Sequence, residues 1–549
     1  MRRKHGAPSN KIGHVDIASG LASAPLRLVL IWAERGGPPV ARAGAKLTGF
    51  WRGDMTASPR YKSLATINIA LHPRRSRSRP VMTGINLAAV DFVEDHSDAN
   101  SPAKDNAASG PADTSPVKPI PAATNSATTR AVTTDLVTTD LVTPSPAAKI
   151  PAAAGPIDFD RVIERRGTHS SKWDHIAKLS GITEPDAIAM WVADMDFAAP
   201  AGVTEALAAE VTRATHGYYA DTGTWAKALT TWMARRHGAT IDPGWVSPTP
   251  GIVSGLGLIL QAVSEPGDEV VLFPPVYHAF RRIIVANDRR ILDCGLVESQ
   301  GRYAMDLDKL RGQLTPRTKV VFLCSPHNPG GTVWTREELQ ALARFCAEHD
   351  LILVSDEIHC DLVFAGHIHI PTMLAAPDIA DRLITTVAAT KTFNLAGAHV
   401  GACITSNPAL KKKLDARIAA CGLGSYNLFG MTATEAAWRT GEPWLDELMP
   451  YLQTNRDLFD IGIEHAVPGA RSMRLDATYL AWVDFSGTGL APSDVAERIA
   501  GRARIFASPG QQFGPGGENW MRFNFATPRP ILEEALTRLG DAFADLPRR

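Results

Sequence analysis

From residue 157 onward, short β-branched runs alternate with amphipathic stretches, and this alternation restricts the fold more than any other feature of the chain. The runs lie at 269–273, 319–324, 351–355, 383–387 and 399–404. Between and before them are helical signatures. Trp225, Leu229, Trp232 and Met233 fall on one helical face, and Thr335 with Glu338 spells a capping box ahead of Leu339, Leu342 and Phe345. Strands separated by helices imply a mostly parallel sheet covered on both faces. After about residue 445 the pattern becomes a separate α+β unit, with strands expected at 479–485 and 520–525 and a helix near 492–499. The expected organisation is a segment at 157–204 joining the small domain, a large domain at 205–445 and a small C-terminal domain at 446–549.

Charge separates the rest of the chain from this part. The 549 residues carry 57 Lys and Arg against 57 Asp and Glu. Residues 1–80 hold 15 basic against 3 acidic side chains and residues 81–156 hold 4 against 8, which leaves −8 for 157–549. An acidic folded part argues against nucleic acid as partner. The first 80 residues scatter Arg and Pro without periodicity and end in Arg74, Arg75, Arg77 and Arg79. The next stretch is rich in Ala, Thr, Pro and Asp and repeats Thr-Thr-Asp-Leu-Val in tandem at 133–137 and 138–142. Such composition buries too little apolar surface to offset ordering entropy, so residues 1–156 are expected to be a disordered extension without assigned chemistry. The six cysteines, at 294, 324, 346, 360, 403 and 421, form no zinc-knuckle or redox spacing. A reducing, cytoplasmic setting is the expectation. The longest N-terminal apolar run, 28–33, is far too short to cross a membrane.

In a doubly wound sheet, ligands bind outside the carboxyl ends of the strands. Four of the runs are followed there by reactive or polar residues: Tyr277 after 269–273, Asn328 after 319–324, Asp356 after 351–355 and Lys391 after 383–387. Singly, each has a plain structural reading. Asn328-Pro329-Gly330-Gly331 is a turn signal, Asp356 a helix cap, Tyr277 a core aromatic and Lys391 a solvated lysine. Together they are the groups that pyridoxal phosphate requires: an amine for a Schiff base, an anion beside the ring nitrogen, a donor to the ring oxygen and an aromatic face. Pro250-Gly251-Ile252-Val253-Ser254-Gly255, opening a helix, supplies amides suited to a phosphate.

These residues resemble the fold-type-I pyridoxal-phosphate enzymes of the class I/II aminotransferase family, and within them the bacterial cystathionine β-lyase (MalY/PatB) type. The resemblance spans about 157–549. Its most specific marks are Trp191-Val192-Ala193-Asp194-Met195-Asp196-Phe197, Gly217-Tyr218, Asp356-Glu357-Ile358-His359 and Lys391-Thr392-Phe393-Asn394-Leu395-Ala396-Gly397. It implies an aspartate-aminotransferase-like α/β fold, with a mostly parallel sheet of the seven-stranded type covered by helices. By the same resemblance Lys391 holds the cofactor, Asp356 its ring nitrogen and Asn328 its ring oxygen, with Tyr277 stacked on the ring. Arg522 would grip the substrate carboxylate with a planar, bidentate fork. Tyr218 would reach the cofactor phosphate of a neighbouring subunit, making the enzyme a homodimer. Position 388, commonly a phosphate-binding Ser, is Ala388, so the phosphate would lean on Thr390 and the amides of Gly251, Ile252 and Val253. His359 stands where many relatives have Tyr, and no catalytic role is assigned to it.

The implied activity is α,β-elimination on a cysteine S-conjugate such as cystathionine, releasing thiol, pyruvate and ammonia. The main alternative is an aminotransferase, because the same residues serve both reactions until the substrate carbanion is partitioned. A regulatory protein retaining the fold ranks below both, since it would not need the full set of Asn328, Asp356, Lys391 and Arg522.

Overall fold

The computed structural model describes residues 157–547 throughout, together with five short strands within the first 156 residues. Those strands form two antiparallel sheets, Lys11–Ile17 with Leu26–Trp32, and Ala45–Gly49 with Leu64–Ile69 and Val90–Val93. The expected disorder of 1–156 otherwise falls outside the described residues. Met1–Leu141 and Val142–Arg549 are separate compact units, and the second carries the chemistry.

Seven strands form its central sheet: β1 Val246–Thr249, β2 Glu269–Leu272, β3 Arg290–Asp293, β4 Thr318–Cys324, β5 Ile352–Asp356, β6 Leu383–Val387 and β7 Gly401–Ile404. Their order is β1-β7-β6-β5-β4-β2-β3. Only β7 runs against its neighbours, so β1 points the same way as the other five.

The apolar runs are continuous because both faces are covered. Val320 and Phe322 of β4 join Leu256 and Ile259 of the helix Ile252–Val263 in one core. The intervening Val321 and Leu323 join Leu339, Leu342 and Phe345 of the helix Arg336–Glu348 in the core on the other face. Each such side chain contributes roughly 1.5–3 kcal/mol by leaving water. The helix on that second face starts where the capping box places it, with Thr335 Oγ1 accepting from the Glu338 amide at 3.2 Å and the Thr335 amide donating to Glu338 Oε2 at 2.8 Å.

A second, antiparallel sheet is built from β8 Arg471–Ser472, β9 Leu480–Asp484, β10 Ser508–Pro509 and β11 Trp520–Asn524, in the order β8-β9-β11-β10. The helix Glu442–Ala466 runs through the boundary expected at 445/446, so the two parts share one continuous rod. Ile188–Ala189 pairs in parallel with Ile505–Phe506 and thereby ties the N-terminal segment to the small part.

The segment 191–197 lies outside these sheets, and most of its carbonyls find side-chain partners instead. Asn524 Nδ2, from β11, donates to Val192 O at 2.7 Å and Asp194 O at 2.8 Å. Asn394 Nδ2 donates to Met195 O at 3.0 Å and Phe197 O at 2.8 Å. The buried Asp196 carboxylate accepts from Lys172 Nζ at 2.6 Å, Trp173 Nε1 at 2.8 Å and Arg165 at 2.9 Å. Lys172 is fully buried, so Asp196 is its necessary counter-charge. Asp196→Ala should therefore lower the unfolding free energy in urea by about 3–5 kcal/mol, because an ammonium is left buried without a counter-charge. Combining it with Lys172→Met should restore part of that loss. A single-variant loss below about 1 kcal/mol would show that the pair does not hold the segment.

Candidate active site

Because β1, β2, β4, β5 and β6 run parallel, their carboxyl ends share one edge of the sheet. Asp356 is the last residue of β5, in register with Cys324 on one side and Thr386 on the other. Its carboxylate is buried and accepts from Thr386 Oγ1 at 3.0 Å and the Ile358 amide at 3.3 Å. Burial outweighs those bonds and pushes its pKa up to about 7. Four residues beyond β4, the buried Asn328 accepts from Arg522 Nη1 at 3.0 Å through Oδ1, leaving its NH2 group as a donor.

Arg522 comes from β11 of the second sheet and is also buried. Its Nη2 donates to Trp191 O at 2.7 Å, its guanidinium lies 4.8 Å from the centre of the Phe513 ring, and its Nε has no partner. Burial draws its pKa down to about 10. Among the described residues, Asp356 and Arg522 each lack an oppositely charged side chain in contact.

Lys391 lies in the short helix Ala389–Thr392 that follows β6. Its Nζ donates to Ala193 O at 2.6 Å. Part of the side chain stays accessible, but the ammonium is withdrawn from water. That withdrawal, with the Arg522 charge adding to it, lowers the pKa to about 8 against the pull of Asp194 and Asp356. Thr392 Oγ1 pins the helix to the buried Asp361 at 2.8 Å. Thr390 precedes Lys391 in the same turn, and Ala388 caps it without a side-chain bond.

Tyr277 follows β2, partly buried, with its ring edge-on to Phe280 at 5.7 Å. Gly251 follows β1 with φ +85°, a conformation that favours glycine, and it opens the helix Ile252–Val263. The first amides of that helix, including those of Ile252 and Val253, have no intrahelical acceptor. Lys391, Asp356, Asn328, Arg522, Tyr277, Thr390 and the 251–253 turn are thus disposed around one edge. Tyr218 is not among them: it is 92% exposed, in an exposed stretch at 214–218.

Two residues without an assigned role in the sequence also belong here. Tyr479 is buried and donates its hydroxyl to Ala193 O at 3.2 Å, the oxygen that also receives Lys391. His359 is buried with its Nδ1 unpartnered and its ring 6.3 Å from that of Tyr479. Burial, with the Lys391 and Arg522 charges, lowers its pKa to about 3, so its imidazole is neutral. In the sequence Tyr479 read only as the start of a strand, and nothing local distinguishes it.

A buried carboxylate without a cation, a buried guanidinium without a carboxylate, an amine with a pKa near 8 and a helix start with free amides define what completes the site. A group with a basic ring nitrogen, a carbonyl reactive toward amines and an anionic arm fits it, beside an amino acid carboxylate. In the cofactor-free protein the same incompleteness makes stability depend on pH. The Asp356 pKa is raised on folding, so its contribution is full below about pH 4 and is lost as pH rises through about 7. Asp356→Asn should therefore match the parent near pH 4 and exceed it in urea unfolding at pH 8 by about 2–4 kcal/mol. Equal stability at both pH values would show that the carboxylate is well solvated.

The sequence matches the family described as aminotransferase class I and II over residues 191–539. Cystathionine beta-lyase PatB of Bacillus subtilis is 40% identical over 389 residues, which is 71% of this chain and 100% of PatB. The crystal structure of cystalysin from Treponema denticola, which contains a pyridoxal 5'-phosphate cofactor, is similar with a TM-score of 0.69 at 31% identity, covering 71% of this chain and 99% of cystalysin. The PLP-bound C–S lyase from Staphylococcus hominis gives a TM-score of 0.66 at 30% identity, over 71% of this chain and 99% of that one. With its strand-end lysine, aspartate and asparagine set on this fold, the chain belongs to the class I and II aminotransferase family, in the branch of PatB and MalY.

Proposed function

We propose that this chain is a pyridoxal-phosphate-dependent carbon–sulfur β-lyase that releases thiol, pyruvate and ammonia from cysteine S-conjugates such as cystathionine. The observation that carries the reading is the meeting of Lys391 with the buried Asp356 and Arg522 at one sheet edge, the last two each awaiting an opposite charge. When bound, pyridoxal 5'-phosphate supplies an aldehyde carbon for amines and a protonated ring that takes up the electron pair released at the substrate α-carbon.

The protein's part is positioning and proton handling. Arg522 binds the substrate carboxylate through its fork, held in plane by Trp191 O and Asn328 Oδ1. Asp356, buried and with a pKa near 7, would serve as the counter-charge of a protonated ring nitrogen. Asn328 would hold the ring oxygen and Tyr277 would lie against the ring. The amides at 251–253 and Thr390 would hold the phosphate, since Ala388 offers no hydroxyl. Lys391, neutral for a substantial fraction of the time near pH 8, removes the α-proton, and Ala193 O receives the resulting ammonium.

The exposed Tyr218 supports a homodimer in which this residue completes the partner's phosphate site. The reading places the enzyme in the cytoplasm and keeps 157–204 with 446–549 as a small domain against a large domain at 205–445. Among the described residues no helix is long and apolar enough to cross a membrane.

With cystathionine as sole substrate and no oxo acid, the protein loaded with cofactor should release pyruvate, ammonia and thiol over many turnovers. Product that appears only when an oxo acid is supplied, with no thiol released, would replace this reading by an aminotransferase. Asp356→Ala should cut turnover by far more than tenfold while cofactor still binds. Arg522→Ala should weaken cystathionine use roughly a hundredfold or more, mainly through KM, and Arg522→Lys should recover little of it, because an ammonium cannot reproduce the fork.

A further inference from the structure

Along 191–194 the backbone carbonyls alternate in the partners they meet. Trp191 O receives Arg522 Nη2 at 2.7 Å and Ser508 Oγ at 2.9 Å. Ala193 O receives Lys391 Nζ at 2.6 Å and the Tyr479 hydroxyl at 3.2 Å. Val192 O and Asp194 O both turn to Asn524. The even carbonyls fix the segment, and the odd ones meet the two cations of the site.

From this geometry we infer that Tyr479 is a positioning residue for the catalytic lysine: its hydroxyl occupies one lone pair of the Ala193 carbonyl, fixes the direction of the other toward Lys391 and weakens that oxygen's hold on the ammonium. The inference rests on the lyase reading only in taking Lys391 as the working amine.

Three features support it. Tyr479 is buried, and burial holds its phenol well above the usual tyrosine range, so it stays a protonated donor. The residue before it, Thr478, is buried with φ +73°. A β-branched side chain in left-handed backbone is strained, and such strain persists only where surrounding contacts enforce it. Those contacts are present: the Thr478 amide donates to Leu362 O at 2.7 Å, and the Leu362 amide donates to His359 O at 2.9 Å, tying the turn before Tyr479 to the loop after Asp356. Finally, among the described residues Tyr479 and Lys391 alone donate to Ala193 O.

Two donors on one carbonyl oxygen compete for its electron density. Removing the hydroxyl therefore strengthens the carbonyl's grip on the charged lysine and raises the Lys391 pKa. The other charged and titratable groups facing Lys391 are Asp194 from the same segment, Asp356 from β5, His359 from the loop after it and Arg522 from β11. None of them changes in the variants below.

The test is the pH dependence of Lys391 acylation by acetic anhydride in the full-length protein freed of cofactor, read by mass spectrometry of the Lys391 peptide. The parent midpoint should fall near pH 8. Tyr479→Phe should raise it by about half a pH unit or more, a roughly threefold change in acidity. Replacing Tyr479 site-specifically with 3-fluorotyrosine, nearly the same shape but a stronger donor, should lower it, which keeps the test available if the Phe variant folds poorly. The acid limb of the kcat profile of the loaded enzyme should move in the same directions. A Lys391 midpoint that moves in neither variant, or that falls in Tyr479→Phe, overturns the inference. Failure of cystathionine turnover would strike the lyase reading and leave this titration standing.

Discussion

The site depends on one irregular stretch of backbone, residues 191–194, being held rigid at the meeting of the two sheets. Arg522 arrives from the antiparallel sheet and Lys391 from the turn after β6. What sets both is a run of anchored carbonyls whose odd members face the cations. An unanchored loop could not do this, because each carbonyl would lose its bond to water without a fixed replacement. The anchors are therefore strong ones: a buried ammonium and a guanidinium on Asp196 and paired amide donors from Asn524 and Asn394.

Around that ruler the site is assembled with opposite charges left uncompensated. Asp356 ends the central strand of a mostly parallel sheet covered on both faces, where the dielectric is low, and its two hydrogen bonds do not offset the loss of water. Arg522 faces the same problem with the opposite sign. Folding bears both costs, and a ligand that brings a cationic ring nitrogen and a carboxylate relieves them. Buried polarity of this kind stabilises the bound state at the expense of the empty one, which is the usual relation between active sites and stability.

Much of this was legible in the sequence, and the exceptions have physical causes. β4, β5 and β6 stood out because strands buried on both faces must be apolar throughout, and the residue ending each run then marks the crevice. β3 did not, because Arg290–Asp293 lies at the sheet edge with one exposed and three half-exposed residues. β1 is four residues long and contains Pro248, which hides it among turns. The two-residue strands β8 and β10 are too short to show any period. Lys391, Asp356 and Asn328 were visible because each follows its own strand. Tyr479 was not, because its role is defined by an oxygen 286 positions earlier in the chain. His359 was visible only as a departure from the tyrosine common in relatives, and its burial with an unpartnered nitrogen is a fact of packing alone.

On this reading the amine at the end of β6 is the one that carries the cofactor. Loading the protein with pyridoxal 5'-phosphate, reducing it with borohydride and mapping the modified peptide by mass spectrometry tests this directly. A single stoichiometric adduct on Lys391, absent in Lys391→Ala, is expected. An adduct on another lysine, or none after full loading, would contradict it.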